Sequence, residues 1–325
     1  MYNKKLKLVC AAFGLALAFT SAPLIAPMTD VYAATITTSA TQDGISYTMS
    51  DNNITIIGYS GTSTKVDLVK SFESIEGTIT KIANKAFKGN TQITSVIIPE
   101  GCTYIGESAF CECTALRTVE IQQEGDLVLG KAVFSGCSSL TTLKWDGVTE
   151  TTIPDWAFSN TAISAIKLPQ KTTSIGKAAF YECKSLTSIV IPASCSSIIG
   201  ESGYGAFESS GLKSVTFKEG GEDEAEELTI GAEAFRDTDL RNVELPARCT
   251  SIQKYAFYIW DGGLDTITLH SNVTLNEECL TSFNGQQDTI VYGCDSYTNA
   301  IKYVYLNSSD HHKLRYQIPC SEIKI

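Results

Sequence analysis

The sequence predicts a repeat solenoid, a mainly β protein in which similar coils stack and pair through one parallel β-sheet face. The first observation is an Ala-Phe pair that recurs about every 24 residues between Phe87 and Phe257. The second is a strand-like pattern, apolar-x-x-apolar-x-apolar, behind each of these phenylalanines. The third is that such strands are too short to fold alone, so neighbouring units must cover their apolar side.

Composition sets outer limits on the fold and on the function. Hydrophobic residues make up 43% of the 325 residues and charged residues 19%, which allows a core of ordinary size. The formal net charge of -11 argues against general nucleic-acid binding, because the phosphates require a basic surface. Three histidines leave few ways to build a zinc site or a general base.

Residues 1–33 have the three parts of a secretory signal peptide. Lys4, Lys5 and Lys7 form a basic start, and an apolar run extends from Leu8 to about Phe19. Small residues then lead to Ala33, after which we expect cleavage. A membrane anchor is the alternative, but the apolar run is short for a span, and no later segment is apolar for long enough to cross a bilayer. We therefore expect export and a mature chain without a membrane span.

Residues 34–78 are expected to form the N-terminal cap, a β-hairpin. Apolar side chains alternate with polar ones at Ile45, Tyr47 and Met49, and again at Ile54 and Ile56. That alternation is typical of a half-buried strand. A solenoid needs such a terminal unit to cover its otherwise open apolar end.

Residues 79–275 are expected to hold eight repeat units of about 24 residues. The recurring aromatic position is occupied by Phe87, Phe110, Phe134, Phe158, Phe180, Phe207, Phe235 and Phe257. The strand that follows ends in a proline in four units, where a missing backbone donor ends the ladder at little cost. Each ring is expected to fill the coil interior from the side opposite the strand.

A column of small polar residues stands three positions before the first apolar residue of each strand. Its members are Asn90, Cys113, Cys137, Asn160, Cys183, Ser209, Asp237 and Asp261. Side chains of this kind satisfy backbone groups where a chain turns. Because Asn, Ser and Asp alternate with Cys, the column predicts a polar cap rather than a set of disulfide partners.

Residues 276–325, which are rich in tyrosine, are expected to form the C-terminal cap. Cys279, Cys294 and Cys320 lie in this segment, and one disulfide among them is an open alternative in an exported protein. The other cysteines of the mature chain show no CxxC spacing and no zinc pattern, so we expect buried structural thiols.

One repeat unit carries a resemblance to a known bacterial family. The run Ala179-Phe180-Tyr181-Glu182-Cys183, continued by Leu186-Thr187-Ser188-Ile189-Val190-Ile191-Pro192, resembles the bacterial leucine-rich repeats called BspA-like. The resemblance implies a right-handed leucine-rich repeat coil with short helical turns, capped at both ends. It also implies a binding role in adhesion, toward host matrix, mucus or neighbouring cells. The units depart from the pattern by insertions before Phe207 and Phe235.

Nothing in the sequence indicates catalysis, a metal site or a cofactor. The nucleophile-elbow, zinc-protease, P-loop and dinucleotide motifs are all missing. The pair His311 and His312 fits a solvated tail better than a metal site. Six carboxylates between 219 and 227 lack the spacing of a calcium loop, so we interpret them as a solvated acidic loop, with calcium binding as the alternative.

The outward side of the predicted strands, here called the strand face, is the candidate binding surface. It carries five basic side chains against three acidic ones, although the whole chain is acidic. The candidate contact residues are Arg117, Glu120, Thr142, Lys144, Lys167, Lys213, Thr216, Arg241 and Glu244, together with Trp156. Solenoid faces commonly bind extended partners, whereas Thr and Ser are also good strand residues with no partner implied.

The sequence thus predicts a secreted, monomeric protein that binds a protein or glycan ligand without enzymatic activity. One alternative is an envelope-associated structural scaffold that has no specific ligand. A hydrolase with a scattered catalytic site is the least favoured alternative.

Overall fold

A computed structural model describes residues 38–219, 227–260, 262–281, 288–294, 296–307 and 314–318. Within these ranges the protein is mainly β, and its coils stack as a solenoid of about ten turns, which confirms the predicted fold class. The helices described are α1 Leu68–Ser71 and α2 Thr298–Asn307. The repeated segments that contain the Ala-Phe pairs form turns rather than helices.

The strands are short and numerous. In chain order they are β1 Thr38–Gln42, β2 Ile45–Ser50, β3 Asn53–Tyr59, β4 Lys65–Asp67, β5 Thr78–Ile82, β6 Ser95–Ile98, β7 Tyr104–Ile105, β8 Thr118–Ile121, β9 Gly125–Asp126, β10 Val128–Leu129, β11 Thr142–Lys144, β12 Val148–Ile153, β13 Lys171–Ile175, β14 Ser188–Ile191, β15 Ser197–Ile198, β16 Gly200–Glu201, β17 Tyr204–Gly205, β18 Ser214–Phe217, β19 Leu228–Ile230, β20 Asn242–Glu244, β21 Cys249–Ile252, β22 Thr266–Thr268, β23 Thr274–Leu275, β24 Thr289–Tyr292 and β25 Leu314–Gln317.

The described chain begins with an antiparallel meander of β1, β2 and β3. Asp51 and Asn52 connect β2 to β3 with φ angles of 48° and 62°. Two consecutive left-handed residues match the twist of a two-residue hairpin, which explains the Asp-Asn sequence there. β3 then pairs in parallel with β5, so the meander continues directly into the coils.

The strand face is built on parallel strands, as predicted, but its ladder is divided into three sections. These are β4-β6-β8-β11, then β14-β18, then β20-β22-β24-β25. Residues 163–168, which follow the predicted strand pattern, are not in a strand. There the indole N–H of Trp145 donates to the carbonyl of Lys167 at 2.8 Å. Parallel pairing extends beyond the predicted repeats, to β4 on one side and β25 on the other.

A second set of parallel strands, not foreseen from the sequence, lies just before the Ala-Phe turns. It consists of β5-β7-β10 and of β9-β12-β13-β15-β19-β21-β23. Its sequence signal is an isoleucine five residues before the aromatic ring, as with Ile105 and Phe110. Several of these strands have only two residues, too few to show alternation.

The recurring phenylalanines form one continuous stack through the core. All eight rings are at most 2% exposed. Neighbouring ring centroids lie 4.8 to 5.7 Å apart, with interplanar angles of 2° to 17°. Backbone hydrogen bonds join the same turns from coil to coil, such as Phe110 N–H to the carbonyl of Val133 at 2.9 Å. The Ala-Phe turns therefore form a third ladder of the solenoid.

The members of the polar column do not all occupy the same structural position. The buried position is the third residue after the ring, which is Cys113, Cys137 or Cys183 in the longer connections. Where the connection is one residue shorter, that position is taken by Thr161, Ser210 and Thr238, which are 5%, 3% and 4% exposed. Counting back from the strand gives Asn160, Ser209 and Asp237 in these coils, and Asp237 accepts the N–H of Trp260 at 2.7 Å.

The residues reached by counting back from the strand occupy a different repeated position from the third residue after the ring. Asn160, Ser209 and Asp237 have φ angles of 56°, 59° and 52°, and the equivalent residues in other coils include Gly89 and Gly136, also with positive φ. Asn and Asp tolerate this left-handed conformation better than most residues do. Asp261, the last member of the column, lies outside the described residues.

Candidate functional site

The strand face presents the predicted basic side chains to solvent. Arg117, Lys144, Lys167, Lys213 and Arg241 are all exposed. Thr216 and Glu244 are also exposed, whereas Glu120 and Thr142 are half-buried. Alternate residues of the same strands, such as Val119 and Val243, point into the core and are buried. Strand periodicity thus places Glu120, Thr142, Lys144, Thr216 and Glu244 on one side. Arg117, Lys213 and Arg241 directly precede a strand, and Lys167 lies in the segment that forms none.

Two of the five cations have acidic neighbours. Lys144 stands opposite Glu120 in the β8–β11 register, with Nζ 3.7 Å from a carboxylate oxygen. Lys167 lies 3.5 Å from Asp146, and both side chains are about 80% exposed. Exposed ion pairs of this kind stabilise a protein by only about 0–1 kcal/mol, so an acidic ligand can compete for both lysines.

The other three cations have no ion pair with a described acidic residue. Arg241 donates from Nη1 to the carbonyl of Gly263 at 2.7 Å, which fixes the orientation of its guanidinium. Within the described part of the chain, Arg117 and Lys213 form no ion pair. These two side chains are available for an anionic partner without breaking an existing ion pair.

Hydroxyl and amide groups line the face between the charges. The in-register rows include Ser95, Thr118 and Thr142 in one section of the ladder and Ser188 with Ser214 in the next. In the third section Thr266 donates to the side chain of Asn242 at 2.7 Å. Much of the face is therefore polar and hydrogen-bonding, with Val190, which is 46% exposed, as an apolar exception.

Two open clefts border this face where its ladder is interrupted. One is lined by Trp145, Asp146, Lys167 and Pro169, among others. The other is lined by residues that include Phe217, Glu219, Glu244 and Pro246. Both lie at the ends of face strands and combine apolar walls with charged rims.

Trp156 lies elsewhere than predicted. It precedes Ala157-Phe158 and therefore belongs to an Ala-Phe turn, not to the strand face. Its indole is half-buried against Tyr181 and Tyr204, with centroid distances of 5.9 and 5.0 Å. These two tyrosines were not foreseen as site residues. The insertion before Phe207 was the signal that could have directed attention to them.

Trp145, in contrast, packs as its strand position predicts. It is 4% exposed and meets Phe158 edge to face, with ring centroids 6.1 Å apart.

The cysteines of the described chain are mostly buried thiols. Cys113, Cys137 and Cys183 donate to the carbonyls of the preceding ring residues, Phe87, Phe110 and Phe158, at 3.0 to 3.1 Å. Burial raises the pKa of Cys183. A protonated, buried thiol is a poor nucleophile, so the position of Cys183 favours packing over chemistry.

A second group of thiols follows the strand-ending prolines. Burial raises the pKa of Cys102 and of Cys249 to about 12, and that of Cys195 to about 11. Each backbone N–H returns to a proline carbonyl three residues earlier. These thiols thus sit in tight turns below the ends of the face strands.

The remaining candidate sites are only partly described. Cys279 is buried, and Cys294 is partly exposed. Cys320, the histidine pair 311–312 and acidic-loop residues 220–226 lie outside the described residues. Among the residues that are described, no cluster of three His, Cys, Asp or Glu side chains is arranged to hold a metal ion. Likewise, no described helix is both long and apolar enough to cross a membrane.

Comparison with known proteins gives one family match. A model described as BspA type leucine rich repeat region, with six copies, matches residues 66–151, 127–225, 151–278 and 203–323. No curated protein matches the chain.

Several solved bacterial structures are similar in fold. A leucine rich cell surface protein from Faecalibacterium prausnitzii has 18% identity and a TM-score of 0.44, over 78% of this chain and 76% of that one. A leucine-rich repeat protein from Eubacterium ventriosum has 18% identity and a TM-score of 0.41, over 80% and 79%. The leucine rich repeat protein of T. pallidum has 17% identity and a TM-score of 0.36, over 86% and 100%.

Proposed function

Because the chain belongs to the BspA-type leucine-rich repeat family, we propose that it is an exported binding protein whose strand face attaches to an acidic, extended ligand. The ligand is a protein or a glycan at a cell surface or in host matrix, and attachment serves adhesion. The protein acts as a monomer and has no enzymatic activity of its own.

The observation that supports this function is a local reversal of charge. The whole chain has a formal net charge of -11, yet the strand face carries five basic side chains against Glu120, Glu244 and Asp265. At physiological ionic strength the Debye length is about 8 Å, so a ligand lying on the face interacts mainly with these nearby cations. Electrostatic complementarity of this kind raises association rates and selects against basic partners.

The geometry also favours an extended ligand over a compact one. The cations are distributed over coils from Arg117 to Arg241, at one strand spacing of about 4.8 Å per coil. Each contact is weak because it is exposed. Affinity therefore depends on a ligand long enough to meet several coils at once, and binding should weaken as salt concentration rises.

A charge-reversal variant tests the proposal. We expect K144E/K167E/K213E/R241E to fold normally and to lose the salt-sensitive part of what the mature protein captures from host-matrix, mucus and bacterial-surface extracts. The matched control is K85E/K88E/K171E/K184E, which reverses four exposed lysines on the turns and the second set of strands. This control changes net charge equally and leaves the strand face intact.

Equal binding by the two variants would contradict a strand-face site. Capture of nothing by the wild-type protein would favour a structural scaffold. Turnover of any substrate in a broad hydrolase panel would contradict the non-enzymatic assignment.

Export and the monomeric state have separate tests. N-terminal sequencing of protein recovered from the culture medium should begin at Ala34, directly after the predicted leader. Light scattering during size-exclusion chromatography should give the mass of one chain.

A further inference from the structure

Three aromatic side chains gather at the surface of the Ala-Phe turns, which are separate from the strands that form the strand face. Trp156, Tyr181 and Tyr204 come from three successive coils, and their ring centroids lie 5.0 to 6.4 Å apart. The rings are tilted to one another by 53° to 62°. Tyr204 is 44% exposed, and the other two rings are half-buried. The cluster thus keeps part of its aromatic surface in contact with water.

A dedicated hairpin positions Tyr204. β16 and β17 pair in antiparallel fashion within the insertion that precedes Phe207. Tyr204 reaches from this hairpin past the coil of Phe180 to the ring of Trp156. Without the insertion, the Phe207 coil would present no ring at this point.

Two buried carboxylates hold the hairpin in place. Glu208, 7% exposed, accepts the N–H of Gly205 at 2.9 Å, and Glu233, 3% exposed, accepts the N–H of Gly203 at 2.8 Å. Arg236 pairs with Glu233 at 2.8 Å. Burial raises the pKa of the Glu208 carboxyl. Burying two carboxylates is costly unless they are paired and hydrogen-bonded. Because these two accept the N–H groups of Gly203 and Gly205, on either side of Tyr204, they fix the position of the exposed ring.

Polar groups surround the rings. Lys177 and Glu201 form an ion pair at 2.6 Å beside Tyr204, and Lys177 Nζ lies 5.9 Å from the centre of that ring. Next to Lys177, Asp155 accepts its backbone N–H at 3.1 Å and also binds Lys131. Charged groups of both signs therefore lie beside Tyr204.

We propose that this cluster is a carbohydrate-binding subsite, in which the C–H face of a pyranose ring stacks on Tyr204 and Trp156. The ammonium and carboxylate groups of Lys177 and Glu201 then bind its hydroxyls. Sugars offer an apolar face edged by hydroxyl groups, and the cluster offers the complementary aromatic face with a polar margin.

Size distinguishes a sugar from a protein partner. A stable protein interface buries roughly 800 Å² on each side. A fully buried aromatic residue contributes about 150–250 Å², and all three rings here are already partly covered. The cluster is therefore too small to anchor a protein interface alone, whereas one or two sugar rings would cover it. The subsite does not depend on the strand-face proposal.

The test is affinity electrophoresis of the mature protein in gels containing mucin, xylan, mixed-linkage β-glucan or soluble peptidoglycan fragments. We expect retardation of the wild-type protein in at least one gel, and a loss of about tenfold in affinity in W156A and Y204A. Tenfold corresponds to about 1.4 kcal/mol. Tyr204→Phe, which keeps the ring, should retain most of the binding.

The repeats themselves supply substitutions that should fold. Ala132 and Ala178 occupy the position of Trp156 in neighbouring coils with nearly the same φ, 52° and 51° against 62°. Trp156→Ala therefore introduces a residue that the equivalent turns of both neighbouring coils already contain. Tyr104→Ala, at an isolated ring beneath Lys81, is the control for loss of a surface tyrosine. The strand-face variant K144E/K167E/K213E/R241E should still be retarded.

Three results would overturn the subsite. The first is an unretarded wild-type protein in all four gels, and the second is equal retardation of W156A, Y204A and wild type. The third is retention by deglycosylated mucin alone, which would indicate a protein ligand.

Discussion

Phe180 and Phe207 stack almost perfectly parallel, with ring centroids 5.1 Å apart and an interplanar angle of 2°, although the β16–β17 hairpin lies between them in the chain. The insertion is accommodated entirely outside the core. Each coil of a solenoid contacts only its neighbours, so an inserted segment disturbs nothing as long as it leaves at the coil margin. The Tyr204 hairpin and the continuous stack are compatible for this reason.

Phe180→Ala should be strongly destabilising. Its ring is fully buried between Phe158 and Phe207, and truncating a buried phenylalanine costs about 3–5 kcal/mol. Denaturant unfolding followed by circular dichroism measures the loss. Phe217→Ala, at a half-buried ring outside the stack, should cost less. Similar losses for the two variants would show that the stack has no special role.

Cys183 should tolerate threonine better than valine. Its thiol donates to the carbonyl of Phe158 at 3.0 Å, and Thr161 occupies the equivalent position one coil earlier. Thr and Val are nearly equal in size, but only Thr can donate, and an unsatisfied buried carbonyl costs about 1–3 kcal/mol. We expect C183V to unfold at lower denaturant concentration than C183T. The reverse order would contradict the assigned role of the column.

Gly200→Ala should disrupt the hairpin more than Gly203→Ala. A Cβ on Gly200 would collide with the backbone oxygen of Ala232, whereas one on Gly203 would meet nothing within 4 Å. Gly203 has a φ of 79°, so alanine there costs about 1–2 kcal/mol of backbone strain and no more. Hydrogen exchange of residues 199–205 should rise steeply in G200A. Equal exchange in both variants would contradict the tight packing of the hairpin.

The free energy of unfolding should fall in alkaline solution. In the unfolded chain a thiol ionises near pH 8.5, whereas Cys249 remains protonated in the fold until about pH 12. Between these values the unfolded state has lost protons that the folded state retains. Stability therefore decreases as pH rises, by at most about 1.4 kcal/mol per pH unit for each such thiol.

The measurement for this prediction compares denaturant midpoints at about pH 8 and about pH 10. Cys249→Ala removes one titrating group, so its midpoint should fall less between the two pH values than that of the wild type. Ser197→Ala, which removes a non-titrating hydroxyl, should follow the wild type. A C249A midpoint that falls as steeply as the wild type's would show that this thiol is not protected by burial.

The candidate site was predictable where strand periodicity governs it. Lys144, Thr216 and Glu244 lie on the outward side because side chains alternate along a strand, and this holds whatever the neighbours are. Trp156 could not be placed in the same way. It belongs to a turn, and the partners of its ring come from other coils. One of them, Tyr204, lies in the insertion before Phe207, so its distance in sequence does not follow the repeat.

The polar column illustrates the same limit at the scale of one residue. Counting from the strand and counting from the ring give the same residue for Cys183 but different residues for Ser209 and Ser210. Only the backbone path between Phe207 and Leu212 decides which serine is buried, because connections of different length reach the same endpoints by different turns.

By itself, the sequence determined the solenoid, its eight recurring core phenylalanines and the outward position of the polar strand residues, since each depends on a local pattern repeated at a regular interval. The tertiary structure alone decided that a second set of strands flanks the turns, that the face ladder divides into three sections, and that Tyr204 meets Trp156. Those features depend on hydrogen bonds and ring contacts between coils, and the spacing that brings their partners together is set by how the coils stack rather than by any single repeat.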